Sequence, residues 1–174
     1  MRATPKTPVR RALREDSALI PLVANGLGAI ESKHRNHFAE AIRSDFADSL
    51  DLDKAMEKGH ERENRWDYLL GHASSGEVVA VEPHSAKHDE ITTVISKRCA
   101  ARDHLKDHLR EGARVTKWLW VASGRVHFAD TEKARRLLDQ NGIEFVGAQV
   151  AGKHLPVASV SRSHPVKQPQ GKRT

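Results

Sequence analysis

Trp66-Asp67-Tyr68-Leu69-Leu70-Gly71-His72 leads through Ser74-Ser75-Gly76 into Glu77-Val78-Val79-Ala80-Val81-Glu82-Pro83-His84, and this stretch decides how the chain is read. Trp66, Tyr68 and Leu70 alternate with Asp67 and Leu69, the period of two that marks a strand. Glu77 to Glu82 is rich in valine and is ended by Pro83. The Ser-Ser-Gly turn signal between the two runs joins them as an antiparallel hairpin. Asp67 and Glu82 lie 15 residues apart, one on each strand, and a hairpin can bring them together at one end of the sheet. Two neighbouring carboxylates are hard oxygen ligands of the kind Mg²⁺ takes. A cation held there can orient a water and stabilise charge on a phosphodiester.

Before the hairpin, Ile30, His34, Phe38, Ile42 and Phe46 recur every four residues, which predicts a helix from Leu27 to about Phe46. Asp51 to Glu63 is strongly polar and reads as a short helix or a loop, with no strand visible between residues 50 and 65. After the hairpin a long helix is expected from Asp89 to Arg110, with Ile91, Val94, Ile95, Cys99, Leu105 and Leu109 on its apolar side. Cys99 is therefore expected in the core, and Gly112 stops the helix. Val115 to Ala122 reads as a strand whose Trp118 and Trp120 share a packing face. A Ser123-Gly124 turn then leads into a short strand, Arg125 to Phe128. Asp130 or Thr131 can cap a helix that Gly142 ends, and Ile143 to Val150 is the last strand. The pattern α-β-β-α-β-β-α-β is an α/β fold with a mixed sheet flanked by helices.

The chain has 174 residues and a formal net charge of +6, and its ends carry the positive excess. Residues 1–16 hold five basic side chains against Glu15 and Asp16, and residues 152–174 hold five with no acid. Both ends also contain prolines. The reading is a loose basic tail over 1–16, one domain over 17–151, and a second loose basic tail over 152–174. Basic arms of this kind can grip a polynucleotide through counterion release, so nucleic acid is the expected partner. A protein partner is the other option, and the sequence does not fix the oligomeric state. The single cysteine excludes an internal disulfide framework and fits a reducing compartment. No run approaches the roughly 18 apolar residues of a membrane span, and Ser17 to Ile30 is too broken by Pro21, Gly26 and Gly28 for a secretory signal. A cytoplasmic location is the expectation.

The order of elements, with Asp67 on one strand and Glu82-Pro83-His84 ending the next, resembles the PD-(D/E)xK nuclease-like superfamily and its restriction-endonuclease-like core. The resemblance covers roughly residues 27–122. It implies Asp67 and Glu82 as metal acids, with Glu31 as an additional acid and Mg²⁺ or Mn²⁺ as the cofactor. The family's lysine falls where this chain has His84. That histidine, or a lysine supplied from the following helix by Lys97, is then the group that positions water or steadies developing charge. The implied activity is hydrolysis of phosphodiester bonds in nucleic acid. The alternative is a catalytically inactive member that binds a nucleic acid or a protein, in a regulatory or immunity-type role.

Histidines spaced i, i+4 occur at His84 and His88 and at His104 and His108, but neither pair is joined by a third ligand in Cys-x-x-Cys or His-Glu-x-x-His form. Zinc is therefore not expected from the sequence. Asn25-Gly26-Leu27-Gly28 lacks the strand and the lysine of a phosphate-cradling loop.

Overall fold

In the computed structural model, residues 6–87, 89–126 and 132–158 are described. Six strands form one sheet whose spatial order follows the chain: β1 (Ala24–Asn25), β2 (Phe46–Asp51), β3 (Tyr68–His72), β4 (Val78–Ala86), β5 (Val115–Val126) and β6 (Ile143–Phe145). The first four pair antiparallel. The last two join in parallel, because helices intervene: α3 (Glu90–Leu105) before β5 and α4 (Glu132–Gln140) before β6. Two shorter helices, α1 (Pro8–Ala12) and α2 (Leu52–Glu57), complete the described α-helices.

The two-residue alternation sorts side chains onto two covered faces. Leu69, Ala80, Trp118 and Trp120 pack with Val9, Leu13, Val94 and Leu105 on the α3 side. Tyr68, Leu70, Val79, Val81, Leu119 and Val121 pack with Phe38, Ile42 and Phe46 on the other. Sheets with parallel strands are buried on both faces for this reason. By the same alternation Asp67 shares the α3 face with Leu69, and Glu82 shares it with Ala80.

Several expectations are corrected. Residues 27–46 are not one helix but two 3₁₀ runs, Ser32–His37 and Glu40–Asp45. Phe38 between them forms a parallel bridge to Val150, with Ala39 N–H donating to Val150 O at 2.9 Å. The four-residue spacing still buries Ile30, Phe38, Ile42 and Phe46, but two short turns and a bridge meet it. The strand missing between 50 and 65 lies earlier, at Phe46–Asp51. Its polar Asp48 and Ser49 are fully buried, which hides the strand pattern from the sequence. Gly124 does not turn the chain: β5 runs unbroken through it to Val126, and the expected strand residue Phe128 and the caps Asp130 and Thr131 lie outside the described residues.

The expected N-terminal tail is also packed from Lys6 onward. Val9 and Leu13 are buried. The Asp48 carboxylate accepts from the Thr7 hydroxyl and from the Val9 and Arg10 N–H groups, the latter two at 3.1 Å each. At the other end the packed chain runs past residue 152, with His154 and Leu155 buried. Cys99 is exposed, because the buried stripe of α3 is Ile91, Val94, Ala101 and Leu105 and Cys99 projects well around the helix from it.

Candidate functional site

Tyr68 pairs with Val81, so the preceding Asp67 and the following Glu82 meet just beyond that pair. The meeting is tight: the Asp67 N–H donates to Glu82 Oε2 at 2.8 Å. Glu82 is fully buried, and its other oxygen, Oε1, receives the Lys97 ammonium. Lys97 Nζ also lies 3.7 Å from Asp67 Oδ1. His84 Nδ1 stands 3.5 Å from Glu82 Oε1, a long ion pair, while its Nε2 makes a 2.8 Å hydrogen bond with Glu90. Trp120 Nε1–H donates to the His84 carbonyl at 3.2 Å and pins that strand position.

One helix supplies three of the partners. Glu90, Lys97 and His104 are spaced seven apart on α3, and seven residues return a helix to nearly the same face, about 10 Å further along. This polar row runs beside the buried stripe. Glu90 meets His84, Lys97 meets both acids, and His104 meets Glu63, which lies on the segment between α2 and β3.

The electrostatics follow from burial and pairing. Desolvation pushes the Asp67 carboxyl up to about 7, the charge of Glu82 pushes the same way, and Lys97 opposes both. Asp53 and Asp51 at the start of α2 add smaller upward pushes. Asp51 is itself raised, chiefly by burial, although it caps α2 by accepting from Lys54 N–H at 2.9 Å. Contact with Glu82 raises the pKa of His84, burial works against this, and Glu90 adds a further upward push. The two carboxylates thus favour the protonated ring more than water does for a free histidine. In that form it can steady negative charge.

Asp67, Glu82, His84 and Lys97 are thus brought together. Glu31 is not among them: its carboxylate pairs with Lys33 at 3.1 Å and Lys54 at 3.7 Å. Its backbone N–H donates to the hydroxyl of Tyr68 at 3.4 Å, a residue that packs on the other face of the sheet from Asp67. The site also contains groups the sequence reading passed over. Asp51, Asp53 and Glu90 are three, and the seven-residue spacing from Glu90 through Lys97 was the signal for the last.

A second cluster joins His60, Glu63 and His104, whose ligand atoms all lie within 4.8 Å of one another. His104 Nε2 is 2.5 Å and His60 Nδ1 3.0 Å from Glu63 Oε2. Contact with His60 first, and His104 second, holds the Glu63 carboxyl below its usual range. This group can in principle coordinate a divalent metal, and it sits in a mixed α/β fold with a central sheet. His104 and His108, spaced i, i+4, take different partners. His108 bonds Ser17 Oγ at 2.9 Å, and His88 lies outside the described residues.

Among the described residues no helix is long and apolar enough to cross a membrane. Comparison with protein-family models, curated proteins and solved structures finds no match for this chain.

Proposed function

We propose that the chain is a metal-dependent phosphodiester hydrolase of nuclease-like architecture acting on nucleic acid. The observation that supports this most is the convergence of Asp67 and Glu82 on one ammonium, Lys97, at the end of the antiparallel β3–β4 pair. The donor set fits a hard divalent cation: two carboxylates, with Asp67 about one-fifth exposed and able to face solvent. Asp67 and Glu82 would hold Mg²⁺ or Mn²⁺, which supplies Lewis-acid stabilisation of phosphoryl charge and a more acidic water. The protein's own contributions are then separable. The Asp67 N–H fixes the rotamer of Glu82, Lys97 carries positive charge to the reacting phosphate, and His84, its pKa raised by Glu82 and Glu90, adds a second positive group when protonated.

The nucleic-acid partner is supported by a concavity of about 530 Å³ at the end of α3. Arg98, Arg102, Lys106, Arg110 and Arg114 surround it, with Glu111 the one acid, and Trp118 lies under Arg98 at 5.3 Å. A row of guanidinium groups suits phosphate oxygens. It starts one residue beyond Lys97 and adds to the basic residues near both ends of the sequence.

A second reading has an observation of its own. Glu82 is fully buried and both its oxygens are engaged, so Lys97 can neutralise the acid pair without any metal. That arrangement suits a non-cutting module that binds a nucleic acid or a protein. Titration of Mg²⁺ and Mn²⁺ with cleavage of mixed single- and double-stranded DNA and RNA separates the two. Hydrolysis by the wild type, lost in Asp67→Asn and Glu82→Gln variants that fold normally by circular dichroism, is the expected result. Polynucleotide binding without metal-dependent cutting would overturn the hydrolase reading and leave the binding module.

A further inference from the structure

We propose that His60, Glu63 and His104 form a metal site of the zinc class, separate from the Asp67–Glu82 centre, which staples residues 58–66 to α3. The donors are two imidazole nitrogens and one carboxylate. Such a set selects borderline-soft ions such as Zn²⁺ or Co²⁺ over Mg²⁺, which prefers oxygen and retained water. Three protein ligands with a fourth position left to water are an ordinary zinc arrangement.

The geometry is close to what such an ion needs. Metal–ligand bonds of about 2.0–2.2 Å place tetrahedral donors roughly 3.3–3.5 Å apart, and these three atoms already lie within 4.8 Å of one another. His104 is held on the last turn of α3 with its side chain 9% exposed, and Glu63 is half-exposed, which leaves a way in for ion and water. The rings of His60 and His104 touch at 4.1 Å between centroids. His60 Nδ1 provides an independent sign. It lies 3.0 Å from the Glu63 carboxylate yet is buried with no hydrogen bond of acceptable direction. The distance records an electrostatic contact and the direction shows that no formed hydrogen bond satisfies the nitrogen, which gives that buried atom reason to take a metal.

The neighbouring backbone is already prepared. Arg65 Nη1 donates to the His60 carbonyl at 2.7 Å, and its Nε pairs with Asp53 at 2.9 Å. Glu63 N–H donates to the His60 carbonyl at 3.0 Å, so the two ligands of the segment sit on one turn. Trp66 and Asp67 follow at once. An ion here would fix how the chain enters β3, through residues that take no part in the Asp67–Glu82 pair.

The test uses the full chain with Zn²⁺ and Co²⁺, the latter read by its visible absorption, in the presence of excess Mg²⁺. One equivalent should bind, give the Co²⁺ spectrum of a low-coordinate site with nitrogen ligands, and raise the melting temperature by mass action. Loss of even an outer partner of a metal ligand costs about 10–100-fold in affinity, so His60→Ala, His104→Ala and the milder Glu63→Gln should each weaken binding by about 100-fold or more. Asp67→Asn should bind Zn²⁺ as the wild type does. A wild type with neither spectrum nor thermal shift at micromolar ion, or undiminished binding by a folded Glu63→Gln or His104→Ala protein, would overturn the site. Loss of Zn²⁺ binding in Asp67→Asn alone would overturn its separateness. None of these outcomes depends on whether nucleic acid is cut.

Discussion

Asp67 carries a carboxyl that burial, and then the charge of Glu82, push up to about 7 against the pull of Lys97. In the unfolded chain the same group titrates near 4. Between these values the folded protein holds a proton that the unfolded chain has released, so stability falls as pH rises from about 4 to about 7. Asp67→Asn removes this slope. In EDTA the variant should therefore gain about 2 kcal/mol over the wild type between pH 5 and pH 8, the full shift being discounted for partial exposure and for coupling to Lys97. Denaturant melts at the two pH values check this, and parallel curves for the two proteins would refute it. His84 shifts stability in the same direction. Its raised pKa lets it contribute stability at low pH, and that contribution is lost as pH climbs through the raised value.

The α1 helix shows how much of an element can depend on one neighbour. Asp48 of β2 is fully buried and accepts from Thr7, Val9 and Arg10. A side-chain oxygen of the sheet thus satisfies donors that a helix of this length cannot pair internally. Gly71 of β3 lies opposite Asp48 in register. A Cβ there would fall 2.0 Å from Asp48 Oδ1 and 2.8 Å from Pro8 Cβ. Gly71→Ala should therefore push α1 off the sheet, expose Val9 and Leu13, and cost about 3 kcal/mol or more. Limited proteolysis and hydrogen exchange of residues 6–16 provide the measurement. Protection equal to the wild type would show that α1 tolerates the shift. The α3 helix works the other way round: its polar row of Glu90, Lys97 and His104 serves three separate partners because seven-residue spacing keeps them in line.

Charge is distributed unevenly over the chain. The termini hold much of the basic excess, yet the folded part carries a basic concavity of its own at the end of α3. Lys106 there is paired with Asp103 at 2.8 Å and Arg110 with Glu15 at 3.3 Å, so Arg102 and Arg114 are the better probes. If the concavity holds polynucleotide, the Arg102→Glu, Arg114→Glu double variant should weaken binding and make the log K against log salt slope shallower by about 2. Deleting residues 159–174 should act independently of it. An unchanged slope in the double variant would assign all phosphate contacts to other surfaces.

The β3–β4 hairpin, the long α3 helix and the meeting of Asp67 with Glu82 were legible in the residues, because strand alternation and antiparallel pairing are local rules with one outcome here. Lys97 was legible as a candidate for a similar reason, since it stands one helix after the second acid. Where polar residues are buried, the same rules fail. Asp48 and Ser49 disguise β2 because their partners, Thr7 to Arg10 and Ala29, are far away in sequence. The N-terminal segment looks like a tail for the same reason, since its basic and proline residues conceal Val9 and Leu13. The His60–Glu63–His104 cluster joins residues 41 positions apart, and no spacing rule connects a loop after α2 with the last turn of α3. The sequence alone set periodicity, the hairpin and the acids on it. Only the packing of α3 across the sheet decided which cation faces them and which histidines meet, because those contacts depend on distances that no local pattern encodes.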